Sequence, residues 1–153
     1  MNYTKIYEVD ENGEEWLTFF DQATRLRIRE AQEKDAYTWA TKMQEDFKSK
    51  KKEKEYVERI KMAIRMSKNE DELKKLLVET KTGKLLANAD LECLCDEECT
   101  SEVRIFVAKD IHDKKTMERI IEGVRNLCLQ ANLCDQLYLV NSGSKTRERM
   151  KLI

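Results

Sequence analysis

Proline is absent from the 153-residue chain and glycine occurs four times. The turns must therefore rest on those glycines and on Asn, Asp and Ser chemistry. No run of about 18 apolar residues is present, which excludes a membrane-spanning helix. The N-terminal stretch Met1-Asn2-Tyr3-Thr4-Lys5 has no hydrophobic signal core. Charge of one sign is also missing: 29 basic and 30 acidic side chains leave a net charge of −1, so no global field recruits nucleic acid or an anionic membrane. Five cysteines, an odd number, argue against a closed disulfide framework. Without a secretory signal they point to reduced thiols in the cytoplasm.

What is present suits one domain. Hydrophobic residues make up 41% and charged ones 39%, enough for a single core at this length. Lysines at 48, 50, 51, 52 and 54 form a local basic run. A solvated helix end or loop explains them more simply than a phosphate site.

The pattern along the chain alternates between two periods. Lys5 to Val9 suits a short strand, Asn12-Gly13 is a turn signal, and Trp16, Leu17, Phe20 and Ala23 fit a helix face. Leu26 to Ala31 reads as a strand and Asp35 as the N-cap of a helix carrying Ala36, Trp39, Ala40, Met43 and Phe47. A second helix is expected after the lysine run, with Tyr56, Val57, Ile60, Ala63 and Ile64 on one face. Ser67-Lys68-Asn69-Glu70 resembles a capping box that opens a helical turn through Asn69 to Lys75. Leu76 to Thr80, the Thr82-Gly83 turn and Lys84 to Cys95 read as a β-hairpin. Gln136 to Val140 suits a further strand and Ser144 to Leu152 a closing helix.

The most informative segment runs from Glu102 to Cys134. Val103, Ile105 and Val107 alternate with Glu102, Arg104 and Phe106 at a strand's period of two. Met117, Ile120, Ile121, Val124, Leu127, Cys128 and Ala131 then recur at three and four, the stripe of an amphipathic helix. The loop between carries Lys109, Asp110, His112, Asp113, Lys114 and Lys115 where a phosphate cradle would need glycine.

This order of elements resembles the GCN5-related N-acetyltransferase (GNAT) superfamily over roughly residues 25 to 153. Leu26 to Ala36 looks like that family's first strand and turn into its first helix. Val78 to Ala87 is similar to its hairpin, and Leu137-Tyr138-Leu139-Val140-Asn141 to its fifth strand. The resemblance implies an α/β fold: a single acetyltransferase-like domain, its central, mostly antiparallel sheet flanked by helices. Residues 1 to 24 are then an N-terminal extension packing on a domain at 25 to 153, in place of the last hairpin of the family's sheet.

By the same resemblance, the protein transfers acetyl from acetyl-CoA to an amine of a small molecule or protein. Phe106, Val107 and Ala108 would position the thioester, and Lys114, Lys115 and Thr116 would lie at the cofactor's phosphates. Glu79 or Glu102 would take the proton, directly or through water, with Glu92 a further carboxylate on these strands. Two departures mark the chain as divergent. Lys114, Thr116 and Glu118 stand at the glycine positions of the family's loop, so the acetyl-CoA loop is degenerate. No Tyr falls in the expected last helix to protonate the leaving thiolate; Arg147, Arg149, Met150 and Lys151 are there instead. A non-catalytic protein-binding or dimerising module on the same frame is the alternative, and homodimerisation is left open. Neither nucleic acid nor a membrane is an expected partner.

Other constellations read more simply. Cys93, Cys95 and Cys99 with His112 lack the paired C-x2-C spacing of structural zinc sites, so no metal site is assigned. Cys93 and Cys95 fall on the apolar side of a strand, and Cys128 and Cys134 suit packing. His112, the single histidine, is expected to be solvated in its charged loop. Glu79-Thr80-Lys81, preceded by Asp71, echoes a Mg²⁺-dependent nuclease pattern. Asp71 lies in a helical-looking stretch and Lys81 at a turn, which weakens it.

Overall fold

The computed structural model describes residues 6–44, 47–70, 72–141 and 148–153. Eight strands form one sheet in sequence order: β1 (Tyr7–Val9), β2 (Glu15–Asp21), β3 (Leu26–Glu30), β4 (Leu73–Thr80), β5 (Leu85–Cys93), β6 (Thr100–Val107), β7 (Gln136–Val140) and β8 (Arg149–Lys151). Helices α1 (Ala36–Met43) and α2 (Lys50–Lys68) join β3 to β4, and α3 (Lys114–Ala131) joins β6 to β7. Every neighbouring pair is antiparallel except β6 and β7, which run parallel because a helix carries the chain back between them. The expected α/β fold with a mostly antiparallel sheet is what is found.

Two cores lie on opposite faces. On one face Leu17, Phe19, Ile28, Val78 and Val103 pack with Ile120, Val124 and Leu127 of α3. On the other, Leu77 and Leu85 pack with Trp39 and Ala40 of α1 and Ile60 and Ile64 of α2. Each fully buried Leu, Ile or Phe contributes about 1.5–3 kcal/mol to folding. Gly123 brings α3 close to β3, since a Cβ there would lie 3.3 Å from Thr24 Oγ1 and 3.4 Å from Ile28 Cδ1.

Four expectations about elements are corrected. The segment with Trp16, Leu17 and Phe20 is strand β2, not a helix: buried Leu17 and Phe19 alternate at two, and β3 supplies the ladder. The lysine run does not precede α2 but opens it, because the Ser49 hydroxyl caps the Lys52 amide and starts the helix at Lys50. Ser67 to Asn69 close that helix rather than opening another, and β4 begins at Leu73, inside the stretch expected to be helical. The closing segment is strand β8, paired with β7 through Tyr138↔Lys151 and Val140↔Arg149. The first part of that expectation, 144–147, lies outside the described residues, as does Asp71.

Candidate functional site

The parallel pair β6 and β7 stays in register from Thr100↔Gln136 to Val103↔Leu139 and no further, although β6 continues to Val107. Beyond Val103 the two strands part. Ala108 gives its amide to Leu86 O at 2.8 Å on the β5 side. Alternation along the strand turns the amide of Val107 toward the opposite edge, into the gap that β7 no longer closes.

A groove opens on each side of this gap. The first, about 410 Å³, lies on the α3 side between Ile105, Leu139 and Met150 and the helix residues Met117 and Ile121, with Asn141, Glu148 and Arg149 at its end. The second, about 650 Å³, lies under α1 and α2 and is walled by Trp39, Met43, Tyr56, Ile60, Phe106 and Val107. Ile105 lines both. Two ligands seated in these grooves would face one another across it.

The N-terminus of α3 stands beside the first groove. Asp113 is its N-cap, taking the Thr116 amide at 2.9 Å and the Thr116 hydroxyl at 2.6 Å on the same carboxylate oxygen. These bonds, the hydroxyl's first, hold the Asp113 carboxyl below its ordinary range. The positive end of the helix is thus neutralised by the chain's own anion. Lys114 is exposed and 3.8 Å from Glu118 one turn on, and Lys115 is exposed.

The carboxylates singled out in the sequence lie elsewhere. Glu79 is buried on β4, where its Oε1 accepts from Arg29 Nε at 3.1 Å with Arg27 Nε 3.7 Å away. Arg29 also forks onto both oxygens of Asp35 at 2.8 Å. Asp35 therefore joins the start of α1 to the sheet, accepting the Gln32 amide at 2.8 Å as well. Burial alone would push the Asp35 carboxyl up, but the Arg29 and Gln32 hydrogen bonds and the Arg29 charge hold it below its ordinary 3.8. Glu102 is 1% exposed and sits 3.6 Å from Arg149 Nη1, whose guanidinium lies 4.1 Å over the Tyr138 ring. Glu102 pairs in register with Tyr138, on the closed part of the β6/β7 ladder. Of the residues expected at the site, the fold gathers Phe106 and Val107 at the gap, whereas Glu79 and Glu102 are each engaged with arginines.

Among the described residues no three His, Cys, Asp or Glu side chains form a group able to hold a metal ion. His112 is exposed. Cys95 is exposed past the end of β5, not part of the core, with its sulfur 3.6 Å from that of Cys93.

Sequence reading missed Asn88 and Arg59, which line the second groove. It also missed the capping role of Asp113, which the Asp113-x-x-Thr116 spacing signals directly. Asn88 carried no such signal, because its place opposite Phe106 follows from strand register alone.

The sheet, with its parting strands and helices on both faces, is the fold of the GNAT acetyltransferases. Among solved structures, a chimera of the Vibrio cholerae spermidine N-acetyltransferase SpeG matches with a TM-score of 0.60 and 13% identity, over 75% of this chain and 69% of that one. The ribosomal-protein-S5-alanine acetyltransferase of Vibrio fischeri matches at 0.56 and 13%, over 81% and 73%. The Vibrio cholerae spermidine N-acetyltransferase in complex with CoA and spermine matches at 0.58 and 13%, over 76% and 70%. No protein-family model matches the sequence, and no curated protein matches it.

Proposed function

We propose that the protein is an N-acetyltransferase that transfers acetyl from a thioester to an amine at the β6/β7 gap. The amide C–N bond forms as the thioester C–S bond breaks, and the thiol leaves, protonated from solvent. The observation that carries this reading is the pair of grooves meeting across Ile105. The fold neighbours are acetyltransferases, and one was crystallised with CoA and spermine.

Acetyl-CoA has two parts to accommodate, and the residues suit them unequally. The apolar groove between Ile105, Met117, Ile121 and Leu139 fits the thioester arm. The start of α3 does not fit the diphosphate, because the Asp113 carboxylate occupies the position where an anion would take the Thr116 amide. The bound donor supplies an activated acetyl carbonyl at the gap, and the chain's residues do the rest. Ile105, Leu139 and Met117 exclude water from the arm, and the Val107 amide, turned into the gap, orients the carbonyl. Glu79 and Glu102, committed to Arg29 and Arg149, hold the sheet together rather than take a proton. The amine therefore enters neutral from the second groove and releases its proton to solvent, which makes the rate rise with pH through the amine's own titration.

The test is calorimetry with acetyl-pantetheine, the same arm without the nucleotide, followed by mass spectrometry of an added amine. Saturable binding that Ile121→Trp abolishes by filling the groove, and an acetylated product, support the reading. Absence of donor binding at millimolar thioester would overturn it.

A further inference from the structure

Resting on that reading, we propose that the second groove selects amines that carry an apolar or aromatic body and a carboxylate. Its walls are rings and aliphatic chains: Trp39, Tyr56 and Phe106 with Met43, Ile60 and Val107, and no Asp or Glu among the described residues lines it. Phe106 is 39% exposed, a large ring left on the floor of the groove for a ligand to cover.

Two polar groups give the groove a direction. Asn88, opposite Phe106 and so beside the gap, directs its amide N–H bonds to Leu76 O at 3.3 Å and Asp90 Oδ1 at 3.2 Å. Both partners accept only, which fixes the amide's orientation. Among the described residues nothing donates to its oxygen, and that oxygen suits an amine N–H. Arg59 comes from α2 on the same helical face as Tyr56, Ile60 and Ala63, is exposed, and makes no ion pair among the described residues. A neighbouring groove of about 460 Å³ shares Tyr56 and Arg59 and adds Lys48, Lys52 and Glu55. Among the described residues the mouth has three cations, Lys48, Lys52 and Arg59, against one anion, Glu55. A polycationic amine would meet repulsion there, whereas an amino acid with a large apolar side chain matches every wall: amine to Asn88, ring among Trp39, Tyr56 and Phe106, carboxylate to Arg59.

The experiment is calorimetry on the full chain without any donor, using L-phenylalanine, phenethylamine and spermidine. Phenylalanine is expected to bind about fivefold tighter than phenethylamine, the effect of one exposed ion pair, with no heat from spermidine. Arg59→Gln brings phenylalanine to the level of phenethylamine and leaves phenethylamine unchanged. Equal binding of the two aromatic amines, spermidine binding as tight as phenylalanine, no effect of Arg59→Gln, or no binding of any probe would overturn the inference. Because no thioester is present, failure here is separate from failure of acyl transfer, which shows as loss of donor binding.

Discussion

On the α3 side of the gap, the helix terminus that could receive an anion already holds the Asp113 carboxylate. On the α1/α2 side, Asn88 lines the groove with only its amide N–H bonds engaged among the described residues, and Arg59 makes no ion pair among them. One wall is closed upon itself and the other is left open, although the same strand, β6, borders both. The difference teaches that one strand can border two ligand-sized spaces, one beside a helix start already capped by a carboxylate and one beside a cation with no ion pair among the described residues. On the proposed reading, ligand recognition rests on the α1/α2 groove, and the α3 groove offers shape more than charge.

The largest expected effect comes from breaking the open wall at its root. Arg29→Met leaves Asp35 and Glu79 without their shared guanidinium and loosens the start of α1, which carries Trp39. Loss of a largely buried ion pair costs about 3 kcal/mol, to be read from urea denaturation, and weakens phenylalanine binding with it. The same cluster has a pH signature. The folded Asp35 carboxyl titrates below its ordinary 3.8, so its stabilisation is complete above that value and is lost as pH falls through the lowered one. Asp35→Asn should flatten that acid limb of the stability profile.

A smaller change sharpens the closed wall. Asp113→Asn keeps a capping side chain but removes the charge at the helix start. Affinity for acetyl-CoA should then rise about threefold, the size of a helix-terminus charge effect, while acetyl-pantetheine is unaffected. Calorimetry with both ligands checks it. Because Thr116 holds the Asp113 carboxyl below 3.8, lowering the pH from 7 to 5 should not reproduce this gain in the parent chain.

The smallest effect is expected at Lys114. It is exposed and paired with Glu118 along the helix, so Lys114→Glu should change donor affinity by less than about twofold, in line with other exposed surface charges. A larger loss would mean that the lysines, not the groove, hold the donor.

How much of this was legible in the sequence depends on how local each signal is. The strand at 102–107 and the helix after it were readable because period and burial agree over many residues. The segment around Trp16 misled because Trp16, Leu17, Phe20 and Ala23 satisfy a helical spacing, while Leu17 and Phe19 satisfy an alternating one. Pairing with β3 decided between them. The absence of glycine from the loop at 109–118 was visible in the sequence. That Asp113 caps the helix required its carboxylate to be seen on the Thr116 amide. Glu79 and Glu102 stand out as candidate bases because a carboxylate on a strand is chemically suggestive. Their arginine partners stand 50 positions away for Glu79 and Arg29 and 47 for Glu102 and Arg149, beyond any local pattern.

The most direct test is the ratio of dissociation constants for acetyl-CoA and acetyl-pantetheine, measured by calorimetry on the parent chain. If the donor is held by its arm alone, the two constants agree within about twofold, since a diphosphate excluded from the helix terminus adds no charge-assisted bonds. Acetyl-CoA binding tenfold tighter or more would contradict the account, because the nucleotide would then be recognised despite Asp113.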